Sequence, residues 1–103
     1  MSAKIIQYRT RREAAAENRR LVEAVLREAA QVADIQYAAF QQDDGVTFVH
    51  IVSQGSAQLT GLASFAEFQR DFDSRVEPGS RTTTTVDVLG LAVAPTPAAA
   101  PGA

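Results

Sequence analysis

The stretch DDGVTFVHIV, residues 43–52, contains the only histidine of the chain. His50 sits among apolar and β-branched residues, with Phe48 and Val52 beside it on its own strand face. Burial in such a setting lowers an imidazole's pKa and keeps it neutral near pH 7. A neutral imidazole can accept a proton from a phenol or an enolisable carbon. The same position also suits a core or interface histidine bonded to a backbone carbonyl or a hydroxyl. Tyr37 and Tyr8 carry hydroxyls that could orient a phenolic ligand, although strand tyrosines also rest with the hydroxyl in water at an edge. Phe40, Phe65, Phe68 and Phe72 could line an aromatic pocket, yet 65, 68 and 72 equally mark a helical core stripe. Asn18, near the start of the first helix, could point its amide into a cavity or serve as a first-turn cap. The candidate site is therefore His50 as catalytic base, with Tyr37, Phe48, Tyr8, Phe68 and Asn18 as ligand-binding residues.

Other chemistries are poorly supported. There is no cysteine, which excludes disulfides, thiolate metal sites and cysteine nucleophiles. No glycine-rich phosphate loop, nucleophile elbow or metal-ligand histidine pair occurs. Asp43 and Asp44 read as turn residues, because no further carboxylates at loop spacing complete a metal shell. No cofactor is expected. Arg9, Arg11 and Arg12 form a basic cluster, but Glu13 and Glu17 beside it mark a solvated surface. A net charge of −2 argues against binding to nucleic-acid phosphates. No window approaches the ~20 apolar residues of a membrane span, and the N-terminal residues lack a signal-like apolar run. A cytoplasmic location, with no membrane partner, is the matching expectation.

The elements that must position these residues follow from periodicity. KIIQYRT, residues 4–10, reads as a strand. The charged run RREAAAENRR leads into a helix whose apolar positions are Leu21, Val22, Val25, Ala29 and Val32. Glu17, Arg20, Glu23 and Arg27 lie on its wet side, with Glu23 and Arg27 spaced as an ion pair. IQYAAFQ, residues 35–41, is a second strand, DDG at 43–45 a hairpin signal, and VTFVHIV at 46–52 a third strand. SQGSAQLTGLA reads as a loop. Ser64 and Glu67 have capping-box spacing at the head of a second helix through Phe65, Phe68, Phe72 and Val76. Pro78-Gly79 ends it, and RTTTTVDVLG, residues 81–90, is the last strand. Residues 1–90 thus form one domain, and the Pro/Ala-rich tail, 91–103, is expected to be disordered.

The order β-α-β-β-α-β predicts an α+β, ferredoxin-like antiparallel sheet. Right-handed crossovers put both helices on one face, with the first and third strands central. The third strand is apolar on both sides, with Val46, Phe48, His50 and Val52 on one and Thr47, Val49 and Ile51 on the other. A half-wet sheet should alternate more clearly. The uncovered face needs cover, which predicts a homodimer through the sheet face.

The segments KIIQYRT, ENRRLVEAV, IQYAAF, DDGVTFVHIV and SFAEFQRDF, in this order, resemble the dimeric α+β barrel superfamily. Within it the chain is similar to small bacterial proteins grouped with the antibiotic biosynthesis monooxygenases, over about residues 4–90. The resemblance implies a dimeric barrel with a pocket between helices and sheet in each subunit. It further implies a cofactor-independent monooxygenase-like protein for a small aromatic ligand, phenolic or quinone-related. A non-catalytic ligand-binding or structural homodimer is the alternative. Residues 65–76 hold no histidine and the chain no tryptophan, which argues against the haem-degrading branch. RNA-recognition domains share the element order, but Asp44 stands at their basic position and Val46 at a stacking ring, so no nucleic-acid partner is expected.

Overall fold

The alternating strands hydrogen-bond into one sheet, and the helical stripe of the first helix closes one side of it. The structure, a computed structural model, describes residues 1–92. The elements are β1 (Ser2–Arg9), a 3-10 turn (Arg12–Ala14), α1 (Ala15–Ala29), β2 (Gln36–Gln41), β3 (Thr47–Gln54), α2 (Ser56–Thr60), α3 (Ala63–Gln69), α4 (Phe72–Arg75) and β4 (Thr82–Asp87). The sheet order is β2-β3-β1-β4, antiparallel throughout, so β1 and β3 are central as the ferredoxin-like reading requires. Leu21, Val22, Val25 and Ala29 of α1 are buried in one cluster with Tyr8 and Phe48 of the sheet and Phe68 of α3. The tail reading concerns residues that, beyond Ala92, lie outside the described ones.

The β2–β3 turn is built as its sequence suggests. Gly45 takes φ 78, where a side chain would be strained. The Asp44 carboxylate accepts from the backbone of Val46 and Thr47 and from the Thr47 hydroxyl. Those bonds hold its pKa below the usual carboxylate value.

Several local expectations are corrected. The stretch read as a loop contains the short helix α2, which starts after Gly55 in the left-handed region, φ 78. A Cβ there would lie 2.5 Å from the Asp34 carbonyl oxygen and 2.9 Å from Ile35 Cα. Gly55→Ala is therefore expected to destabilise the fold by roughly 1–3 kcal/mol, read from urea unfolding. An unchanged midpoint would show that this turn relaxes freely. Val32 lies beyond the end of α1, and Glu23 pairs with Arg19 at 3.2 Å rather than with Arg27.

The second helix is not continuous, and Ser64 is not its N-cap. The cap is Leu62, and Ser64 instead gives its backbone N–H and its hydroxyl to the Glu28 carboxylate of α1, at 2.9 and 2.6 Å. A carboxylate from a neighbouring helix thus satisfies the Ser64 N–H that Glu67 would have taken in a local box, and it also takes the hydroxyl, which would there have been an acceptor. The helix then breaks at Arg70 and Asp71, the latter at φ 59. Val76 leaves α4 extended and bridges to Thr10. The break has an identifiable cause in Arg75, whose guanidinium donates to the carbonyls of Phe68 and Arg70 at 2.6 and 2.8 Å. Orphan acceptors at the end of α3 are met by a side chain instead of by another helical turn.

Candidate functional site

Register brings the site together. Ile6 of β1 and Ala39 of β2 lie directly opposite His50. Both lack a polar tip. The tyrosines lie on the diagonals, Tyr8 opposite Phe48 and Tyr37 opposite Val52. Diagonal neighbours on one sheet face are within reach of long aromatic side chains. The rings accordingly stack on the imidazole from both sides, with centroids 5.3 Å away for Tyr8 and 5.7 Å for Tyr37.

Their hydroxyls occupy both ring nitrogens. Tyr8 Oη lies 2.8 Å from His50 Nε2, and Tyr37 Oη lies 2.6 Å from His50 Nδ1. Behind Tyr8, Asn18 Nδ2 donates to its oxygen at 2.9 Å, and Arg75 Nε donates to Asn18 Oδ1 at 3.2 Å. Asn18 is fully buried (0% exposed) and Arg75 nearly so (6%). The result is a buried polar chain running from a guanidinium, through an amide and a phenol, to an imidazole and a second phenol. Among the described residues no buried side-chain nitrogen or oxygen lacks a partner.

Burial sets the electrostatics. His50 is pushed down to about 4 by desolvation, so it is neutral at pH 7. Tyr8 is pushed up to about 12 by burial, with the Asn18 bond and the Arg75 charge opposing. Tyr37 is raised above the usual phenol range, mainly by burial and further by Tyr8. Burial also lowers Arg75, which nonetheless keeps its proton as guanidinium does in proteins. Phe68 and Phe72 stack against that charge, 5.5 and 5.8 Å from their ring centres.

A cavity of about 380 Å³ opens between sheet and helices against this chain. Tyr37, His50 and Tyr8 form part of its floor, and Phe65, Phe68 and Phe72 part of its roof. Lys4 and Arg81, both exposed, lie among its outer lining residues, which include no Asp or Glu. Among the described residues no three His, Asp or Glu side chains cluster to hold a metal.

The candidates separate on this geometry. His50, Tyr37, Tyr8 and Phe68 meet at the cavity. Phe48 is not in its lining; it stacks behind Tyr8, at 5.8 Å and 12°. Asn18 is neither a helix cap nor a cavity wall, but holds Tyr8 from behind. Neither tyrosine rests its hydroxyl in water at an edge. Phe40 lies on the other side of the sheet, 54% exposed. Arg75 went unseen in the sequence. Its one signal was a lone arginine at a position where the apolar helical stripe should have continued.

The class this defines is an α+β, ferredoxin-like domain with an aromatic-walled pocket between helices and sheet. Solved structures of antibiotic biosynthesis monooxygenase-like proteins share this fold, as the sequence resemblance implied. A putative antibiotic biosynthesis monooxygenase from Nitrosomonas europaea superposes with a TM-score of 0.74 at 11% identity, over 87% of this chain and 100% of that one. Rv0793 from Mycobacterium tuberculosis gives 0.69 at 16% identity, over 89% and 98%. A variant of SnoaB, a cofactor-independent oxygenase from Streptomyces nogalater, gives 0.63 at 8%, over 87% and 94%. No protein-family profile and no curated protein matches the sequence. No helix among the described residues is long and apolar enough to cross a membrane.

Proposed function

We propose that this is a small-molecule pocket protein acting as a cofactor-independent monooxygenase on phenolic or quinone-related compounds. The observation that carries this is the aromatic-walled cavity ending on the Tyr37–His50–Tyr8 cluster. With both ring nitrogens engaged, His50 acts on a ligand through Tyr37, whose hydroxyl holds the ligand's oxygen. The phenol's proton leaves to solvent, and the anion that remains is electron-rich enough to pass an electron to O₂. Without flavin or metal, every electron comes from the substrate. Insertion into a phenol-conjugated methylene gives a carbonyl and water, while simple oxidation of a hydroquinone gives a quinone and hydrogen peroxide.

Oxygen uptake with a panel of hydroquinones and naphthols, without added metal or flavin, tests the reading. Turnover is expected, and His50→Ala, which removes the ring that orients the Tyr37 hydroxyl, is expected to lose at least tenfold of it, as misplacing a positioning group does. A variant that retains full activity removes His50 from the reaction. The alternative, a ligand-binding protein without turnover, is favoured by one observation: both imidazole nitrogens are satisfied, as in a purely structural histidine. In that case ligands bind and no oxygen is consumed.

The reading includes a homodimer through the sheet. Phe40 and Val49 pair across the uncovered face, and Ala38, Ile51 and Ile5 form the next row. Their apolar surface is what a second copy would cover. Light scattering at micromolar concentration should return twice 11.0 kDa. A particle of 11.0 kDa alone would overturn the dimer.

A further inference from the structure

We propose that the Arg75–Asn18–Tyr8–His50–Tyr37 chain has a fixed direction, making Tyr37 a hydrogen-bond donor into the cavity and selecting flat aromatic ligands that carry an acceptor oxygen: a phenolate, a quinone or an aryl ketone. This deepens the function proposed above and rests on its cavity.

The direction follows from donor and acceptor counting, starting at the end that has no choice. Arginine only donates. Arg75 Nε–H therefore fixes the Asn18 oxygen toward itself, and the Asn18 amide N–H₂ toward Tyr8. Tyr8 oxygen accepts that bond, so its own hydrogen needs an acceptor. The one other polar atom bonded to it is His50 Nε2, at 2.8 Å. If Nε2 carried the proton, Tyr8 would accept twice and its buried hydrogen would have no partner, a cost of about 1–3 kcal/mol. Nε2 is thus the acceptor and Nδ1 carries the hydrogen. Nδ1–H donates to Tyr37 oxygen at 2.6 Å. The Tyr37 hydrogen is then left for the cavity, which Tyr37 lines.

A ligand oxygen met by this hydrogen must accept. A neutral phenol offering its own hydrogen to Tyr37, with the Tyr37 hydrogen turned to His50, would reverse the Tyr37–His50 and His50–Tyr8 bonds and strand the Tyr8 hydrogen, since Arg75 and Asn18 still donate. The charges agree with the donor count. Arg75 is buried without a carboxylate partner among the described residues, and Lys4 and Arg81 are the charged residues of the cavity lining. The chain as a whole is acidic, at −2, so this local excess of positive groups is not a reflection of composition. Arg75, Asn18, Tyr8 and His50 are positioning residues. Tyr37 is the group that touches the ligand.

One measurement decides the direction without any ligand. His50 is the only imidazole of the chain, so long-range ¹H–¹⁵N correlation spectra of labelled protein report it unambiguously. The neutral form protonated on Nδ1 is expected, and protonation on Nε2 overturns the proposal. Asn18→Asp provides the reversal. A carboxylate still accepts from Arg75 but can only accept from Tyr8, which turns each later bond around. The variant should show the proton on Nε2, and an unchanged tautomer there also overturns the proposal. Should it not fold, the parent protein's tautomer and Tyr37→Phe decide.

The ligand class is read with 4-nitrophenol, whose ionised form is coloured, and with 1,4-naphthoquinone. The bound nitrophenol should favour the phenolate by roughly tenfold relative to water, the order expected for a hydrogen bond to a charged group. Tyr37→Phe should abolish that preference, and Asn18→Asp should reverse it. Preferential binding of the neutral phenol, or no binding of either probe, overturns the assignment. None of these readouts needs turnover. A protein with Nδ1–H that consumes no oxygen refutes the oxygenase reading alone.

Discussion

Arg75→Met is expected to lose roughly 3–5 kcal/mol of stability, because it removes one guanidinium and leaves two buried acceptors and one part-buried acceptor behind. Those acceptors are the carbonyls of Phe68 and Arg70 and the amide oxygen of Asn18. Replacing a buried charge with an apolar side chain is often neutral, since desolvation costs are relieved together with the lost attraction. That holds when partners are replaced too. Here they stay, two of them backbone groups that cannot be mutated away. Against a total of about 5–15 kcal/mol for a domain, the variant should unfold at far lower urea. Arg75→Lys should recover only part of the loss, as an ammonium lacks the planar fork that spans these acceptors. An unchanged midpoint for Arg75→Met would mean that the helix break closes up and pairs its own carbonyls.

The second large effect is a loss of stability in mild acid carried by His50. Its pKa falls from 6.5 to about 4 on burial. Above pH 6.5 neither folded nor unfolded imidazole is charged, and this group contributes no slope. Between 6.5 and about 4 the unfolded chain takes up a proton that the folded one refuses. Stability therefore falls as pH falls through this window, by about 3 kcal/mol in all. Below about 4 both states are protonated and the loss is complete. The groups bonded to the ring, Tyr8 and Tyr37, stay neutral throughout, because burial raises both. Carboxylates act lower. Glu17, Glu28 and Asp44 are held below their ordinary values by hydrogen bonds from Arg20, Ser64 and Thr47 respectively. The slope from pH 6.5 to 5 in urea-derived stabilities thus belongs to His50 and should vanish in His50→Gln. A slope that survives the substitution assigns it to another group.

The sheet was readable because each strand announces itself within about eight residues. KIIQYRT and VTFVHIV carry β-branched and aromatic residues, Asp44-Gly45 the turn, and the order of elements the topology. His50 was readable as buried for the same reason, since Phe48 and Val52 share its face. What the sequence hid depends on distant partners. Ser64 and Glu67 do fit a capping box, yet Glu28, thirty-six residues away, takes the Ser64 donors. The phenylalanine stripe from 65 to 72 does imply one helix, yet Arg75 withdraws carbonyls that would have continued it. Asn18 and Arg75 meet across fifty-seven residues, and no local pattern marks the two as partners. Periodicity reports which side of an element is buried. It does not report which polar residue on that side will find a partner.

The chain has two tyrosines and no tryptophan, and both tyrosines flank His50 at the cavity floor. Its ultraviolet emission therefore originates almost entirely at the place where a ligand would enter. An aromatic compound that seats against Tyr37 should quench or shift that light directly, with no label attached. Binding can be followed in the unmodified protein at low concentration, before any substrate has been identified.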